Sequence, residues 1–302
     1  MTTTDPRVAP RPSTPGFDAG ITGYDEKWLG AATAEVLPDG PLTSPRPDSV
    51  YARFESIIIG TAAVAGFVGV WHLFASARIV PPLFLPGPLD VAEAYAEIWK
   101  GGELWQDLSI SGQEMAIGYG LAAVTGVLLG LAIGWYRRLS YALDPFISFF
   151  YATPRIVLLP LLIIWFGIGV QSKIAVVFLG AFFAIVINTA AGVRNLDAHL
   201  VKVARSFGAR DIWLFRTITI PGSVPFILTG LRLGTGHALV GVVVGELVAS
   251  QHGIGHQMAI AGATFQSAKL FAYLMFIAAT GVILTVVLQR LERKFDAWRP
   301  RA

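Results

Sequence analysis

Six runs of apolar residues in this 302-residue sequence are long enough to cross a bilayer as helices, and nothing else in the chain constrains its fold as strongly. At 1.5 Å of rise per residue, about 20 residues traverse the ~30 Å hydrocarbon layer. The runs cover approximately residues 57–74, 113–135, 146–166, 174–191, 224–248 and 270–288. Lipid offers backbone amides no partner, so a spanning segment is a helix or part of a closed barrel, and unbroken runs without period-two alternation predict helices. The expected fold class is therefore all-α, a polytopic membrane protein with about six transmembrane helices. Composition agrees, with 54% hydrophobic and only 14% charged residues against about 25% charged in soluble domains. That excludes a disordered chain, a collagen and an ordinary cytosolic enzyme. The absence of cysteine excludes a disulfide framework, thiolate metal sites and cysteine catalysis. A net charge of +3 is too small to argue for nucleic acid.

The first fifty residues differ in kind from the rest. They carry eight prolines between Pro6 and Pro47 and no apolar periodicity, so they cannot bury enough surface to offset their chain entropy. A disordered tail is expected over residues 1–50. The first apolar run starts at Ile57, beyond the place of a signal peptide's apolar region, so the tail is expected to be retained. Residues 51–112 then hold the first transmembrane helix and a loop on the far side of the membrane. That loop contains prolines at 81, 82, 86 and 88, followed by an amphipathic helix from Asp90 to Lys100. Residues 113–290 form the core, and 291–302 a second tail. Pro154, Arg155 and Pro160 interrupt the third span, which is expected to be kinked or broken.

Lysine and arginine placement sets the orientation. With both termini inside, seventeen of the 23 basic residues fall on inner segments and four, Arg78, Lys100, Lys173 and Lys269, on outer ones. The inverted topology breaks the rule at every loop. Both termini are thus expected in the cytoplasm.

The largest internal cytoplasmic loop, residues 192–223, has a pattern of its own. Leu200, Val203, Ala204 and Phe207 fall at i, i+3, i+4 and i+7, Leu214 and Phe215 continue the stripe, and Lys202, Arg205, Arg210 and Arg216 occupy other faces. Gly208 interrupts the pattern, and Pro221 and Pro225 are expected to end it. The spacing predicts a short helix, a glycine turn and a second short helix at the membrane surface. Taken alone, the pattern also fits an amphipathic helix lying among lipid headgroups.

Lys202-Val203-Ala204, Gly208 after three residues, then Ile218 and Ile220-Pro221 together resemble the "EAA, three, G, nine, I-x-L-P" signature of ABC importer membrane subunits. The run from Ala204 to Ser250 and the stretch LLPLLIIWFGIGVQSK from Leu158 to Lys173 resemble the nitrate, sulfonate, taurine and bicarbonate branch of that family. The likeness spans roughly residues 55–295. It implies a MetI-like type I importer permease fold. It also implies a coupling loop, comprising Lys202, Val203, Ala204, Ser206, Phe207, Gly208, Ala209, Arg210, Ile218, Ile220 and Pro221, that docks on a separate cytoplasmic ATPase. ATP and magnesium would bind that partner, leaving this chain with no cofactor, no metal and no catalytic residue. A soluble binding protein outside and a second copy of the chain, as a homodimer, complete the implied assembly. Lys202 departs from the signature by reversing the charge of its glutamate, and Val203 and Ile220 by mild aliphatic changes. A compensating carboxylate on the ATPase would accommodate Lys202.

Within the spans, Gly230, Gly234, Gly241 and Gly245 fall within about 60° on a helical wheel at 100° per residue, and Gly126, Gly130 and Gly134 repeat the habit. Both rows predict faces for close helix packing. Arg232 and Glu246 lie opposite the first row, about 21 Å apart along the helix, too far to pair. Either residue reaches a membrane interface or lines a translocation route, Arg232 attracting an anion. His237 points with the glycines and reads as a packed, hydrogen-bonded residue or a proton relay. Arg155 reads as a snorkelling, gating or substrate-contacting residue at the cytoplasmic end of the broken span. No G-x4-G-K-[ST], HExxH or G-x-S-x-G run is present. The expected function is the permease subunit of an importer for a small anion of the sulfonate, nitrate or taurine type. An ion-driven secondary transporter is the alternative, and it would show intramembrane carboxylates for ion coupling, for which Glu246 is the candidate, and an internal repeat, of which none is evident.

Overall fold

The computed structural model describes residues 50–293, and no strand occurs among them. Of the expected tails, 1–50 and 291–302, only residue 50 and residues 291–293 are described, and these are helical; the rest lie outside the described residues. The chain divides into two compact units, Met1–Ala63 and Val64–Ala302. The described part of the first unit is the opening half of helix α1, Val50–Ser76. Its stretch Ile57–Ser76 is apolar all round with no buried residue, the character of a helix solvated by lipid.

In the second unit a proline-rich connection leads to α2, Pro88–Lys100. Pro88 sits in the first turn, where its missing amide costs nothing, and Asp90 Oδ2 accepts from Gly87 N at 2.8 Å. Helix α3, Glu103–Trp135, is ten residues longer than its apolar run. The extra length carries Asp107 and Ser111, and Glu114 follows at the very start of the run, all of them buried. Hydropathy treats such residues as flanks, yet here they turn inward to partners described below.

The third expected span is broken. Helices α4, Arg137–Ala152, and α5, Arg155–Phe166, meet at 101°. Thr153 and Pro154 are extended at the joint, with ψ of 126° and 117°. Proline disfavours helical geometry in the residue before it and lacks the amide that would continue the ladder. Helix α6, Val170–Arg194, follows, and then α7, Ala198–Ser206, α8, Asp211–Leu214, a π-helical turn, Phe215–Thr219, and α9, Ile220–Ala249. Helices α10, Ile254–Ala263, and α11, Ser267–Arg293, end the described chain.

Pro221 and Pro225 do not end the pattern as expected. The chain is helical from Asp211 to Ala249. Pro221 falls in the first turn of α9, and the π-helical turn before it already loosens the i to i−4 ladder. Ser223 Oγ donates to Thr219 O at 2.7 Å, occupying a carbonyl beside the disturbance.

The core of the second unit is α6, flanked by both glycine rows. A Cβ added at Gly230 would lie 3.0 Å from Asn188 Cβ, and one at Gly241 would lie 3.0 Å from Val177 Cα. From the other side, a Cβ at Gly126 would meet Ile185 at 3.1 Å and one at Gly130 would meet Thr189 at 2.6 Å. The two seams enclose Ala122, Val177, Ala181, Ile185, Ala238 and Val242, all buried. The expectation of two close-packing faces is met, and both meet on α6.

A knot of polar groups ties α3, α6, α9 and α10 together near the Val170 end of α6. Lys173 Nζ pairs with Glu114 Oε1 and donates to Ser250 Oγ at 2.9 Å. Glu246 accepts from Ser111 Oγ at 2.6 Å and from Gly255 N at 2.7 Å. Asp107 accepts from Gly253 N at 2.7 Å and Gln257 Nε2 at 2.9 Å, and Ser111 Oγ accepts from Ile254 N at 3.0 Å. Two carboxylates thereby occupy the amides that begin α10, where the helix dipole favours negative charge.

Candidate functional site

At the Arg194 end of α6 the chain leaves the bundle, turns back within 25 residues and re-enters it. Asp197 caps α7 by accepting from His199 N at 2.7 Å, satisfying an amide that the first turn leaves open. The helix ends at Gly208, whose φ of +79° is left-handed. Ala209 N bonds Ala204 O at 3.1 Å and Gly208 N bonds Arg205 O at 2.9 Å, the paired closure of a Schellman turn. No atom lies within 4 Å of where a Gly208 Cβ would be. The glycine is therefore required by backbone conformation alone. Arg205 Nη2 bridges the turn to Asp211 Oδ1 at 3.1 Å.

The eleven residues singled out from the sequence fall into two sets. Lys202, Val203, Ser206, Phe207, Gly208 and Arg210 are exposed, while Ala204 and Ala209 are half-buried in the turn. Helix α7 contributes no buried residue. Its predicted stripe points away from the bundle, with Leu200 56% and Phe207 89% exposed. Ile212 and Trp213 extend the same apolar surface. Ile218, Ile220 and Pro221 form the other set, half-buried around the fully buried Leu214 and Thr219. Phe215 packs edge-on against Trp135 at 5.2 Å, and Gly222 lets Leu196 lie against the backbone. The segment is thus an exposed apolar head on a packed root. Lys202 forms no ion pair among the described residues.

Close to the root, Arg194 Nη2 donates to Ser140 Oγ at 2.8 Å and pairs with Asp144 at 3.2 Å. That contact fixes the start of α4 to the end of α6, so the broken span and the protruding segment share one support.

Residues 123–297 match the profile of the binding-protein-dependent transport system inner membrane component. The chain belongs to this family. It is the permease subunit of an ABC importer and a multi-pass inner-membrane protein. The taurine transport system permease protein TauC of Escherichia coli is 32% identical over 82% of this chain and 91% of its own. SsuC of the same organism, named for aliphatic sulfonate transport, is 36% identical over 78% of this chain and 89% of its own. The inward-facing MetNI methionine ABC transporter superposes with a TM-score of 0.57 at 17% identity, over 66% of this chain and 98% of that one, a likeness of fold.

The four charged or titratable residues picked from the permease's spans do not form one group. Arg232 pairs with Glu292 on α11 at 3.2 Å, so its charge is answered within the chain. Glu246 is fully buried in the knot. Arg155 and His237 come together, Nη1 to Nδ1 at 3.2 Å. Because His237 sits midway along α9, Arg155 lies at mid-depth in the bundle, where the 101° break carries it, rather than at the end of a span.

Sequence reading overlooked Asp107, Ser111, Glu114 and Lys173, the last of which counted as a loop residue. One signal for them existed, since Asp107, Ser111 and Glu114 fall at i, i+4 and i+7 on one helix face. Asp107, Glu114 and Glu246 are each held by donors of the knot.

Proposed function

We propose that this permease moves a small anion of the sulfonate, nitrate or taurine type inward, driven by a separate cytoplasmic ATPase that grips the 198–213 head. One observation carries the reading. A nine-residue helix with an outward apolar stripe, closed by a rigid glycine turn and rooted by Leu214 and Thr219, is a surface built to be covered. Lipid headgroups would want Lys and Arg on the outer face and apolar residues turned to the membrane, whereas here Phe207 is the most exposed large apolar residue of the head, at 89%. A tightly rooted element of this kind transmits displacement because packed helices shift as bodies. Two copies of the permease would enclose the route at their two-fold interface, with both termini cytoplasmic and a binding protein delivering solute outside. The sulfonate names of relatives support the cargo class.

The chain lacks cysteine, so Ser206→Cys and Arg210→Cys give clean crosslinking positions. In membranes containing the neighbouring ATPase, both should crosslink to that subunit, and uptake should stop with orthovanadate while surviving a protonophore. Crosslinks confined to lipid, or vanadate-resistant uptake that a protonophore abolishes, would overturn the reading in favour of an ion-driven carrier. If Lys202 meets a carboxylate on the ATPase, Lys202→Glu should depress uptake severalfold. Unchanged transport would dispose of that pairing.

A further inference from the structure

Among the described residues, the other cations that reach between helices of the bundle each meet a carboxylate, as Arg194 meets Asp144. Lys173 meets Glu114, and Arg232 meets Glu292. Arg155 differs. No carboxylate among the described residues lies within ion-pairing distance of it, and its Nε is buried without a hydrogen bond. Its contacts are His237 Nδ1 at 3.2 Å and the Tyr151 ring, 5.9 Å from the guanidinium carbon to the centroid. A guanidinium only donates, so Nδ1 accepts and the His237 hydrogen resides on Nε2. The pair consequently offers donors and positive charge with no acceptor left to match them.

A lone cation at this depth costs at least ~2.5 kcal/mol on insertion scales, so it faces a polar space or a counter-charge rather than hydrocarbon. An uncovered face of α9 lies beside it. Phe226, Leu233, Gly236, Val240 and Leu247 form a stripe that the fold leaves uncovered along α9, and His237 borders it. Gly236 has no atom within 4 Å of a built Cβ. The joint at Thr153 and Pro154 also breaks the helix here, and non-helical backbone at membrane depth persists only inside protein or beside an aqueous cavity.

We propose that Arg155 and His237 form an anion station midway through the bundle, where a small oxyanion of the sulfonate, carboxylate or nitrate kind is held in passage. This rests on reading the chain as an import permease, and it gives that route a ligand chemistry located in the membrane subunit itself. The station replaces Arg232, the cation the sequence favoured, whose charge Glu292 already occupies.

Single thiols at Leu233→Cys and Val240→Cys, in membranes holding the assembled transporter with its ATPase, test it through two probes of equal reach and opposite charge. These are sulfonatoethyl and trimethylammonioethyl methanethiosulfonate. Both positions should react, and Arg155→Gln should lower the sulfonate-to-ammonium rate ratio about fivefold or more, since a unit charge a few ångströms away acts on the two reagents in opposite directions. Arg155→Lys should keep most of the ratio, and co-purified ATPase reports assembly of each variant. A comparison needing no change at Arg155 adds Phe226→Cys farther along the stripe, where the ratio should be lower than at positions 233 and 240. Absence of labelling at both positions, a ratio unmoved by Arg155→Gln, or one uniform along the stripe overturns the station. Labelling needs no ATP, so it can fail while the Ser206 crosslink succeeds, and the converse outcome indicts the coupling reading alone.

Discussion

At the scale of single residues, two positions give opposite lessons about what a side chain is for. Gly208 has open space around it but a left-handed backbone. Gly208→Ala should therefore cost about 1–2 kcal/mol of local conformational energy without any clash. Gly208→Asn should cost less, because Asn tolerates this geometry. ATPase co-purification and uptake in the assembled transporter would rank them Gly, Asn, Ala. Lys173 is the reverse case, a buried charge whose worth depends on Glu114. Removing one partner strands the other, so Lys173→Met alone should destabilise the solubilised protein by about 3–5 kcal/mol. The double variant with Glu114→Leu should regain most of that loss in thermal unfolding. Gly208 was legible because its spacing from Ala204 and Pro221 is local. The knot was not, since its partners lie 135 to 146 residues apart for Ser111 with Glu246 and Asp107 with Gly253. Only the inward row of Asp107, Ser111 and Glu114 hinted at it.

At the scale of elements, α3 displays two glycines with opposite expectations. A Cβ at Gly118 would stand 2.8 Å from Val177 and from the Ile174 carbonyl, whereas Gly120 has nothing within 4 Å. Gly118→Ala should cost about 1–3 kcal/mol through overpacking. Gly120→Ala should be neutral or gain up to about 1 kcal/mol of helix propensity. Thermal midpoints in one detergent would separate them. The spans themselves were legible because a hydrocarbon crossing demands a long apolar run. Three features escaped because the runs do not encode them. The start of α3 is disguised by polar residues with internal partners. The fate of prolines 221 and 225 depends on where in a helix they fall. The depth of Arg155 depends on the 101° turn between α4 and α5, which two prolines announce without giving its direction.

For the whole molecule, the second unit is held differently at the two ends of α6. Near Val170, charged hydrogen bonds lock four helices together. Along the rest of α6, both flanks are glycine seams with little side-chain relief to interlock. Glu246→Gln replaces one accepting oxygen by a donor, so either Gly255 N or Ser111 Oγ loses its acceptor, and it should cost about 1–3 kcal/mol. In the assembled transporter it should let ATP hydrolysis continue while uptake per ATP falls severalfold. Equal losses of both would mean that the knot serves folding alone. The asymmetry has a geometric consequence. A bundle pinned by four helices near Val170, joined at the Arg194 end by the Arg194–Asp144 pair and smooth along its seams would, if pushed at the Phe207 head, swing like a door on its hinge post, the pinned edge barely stirring.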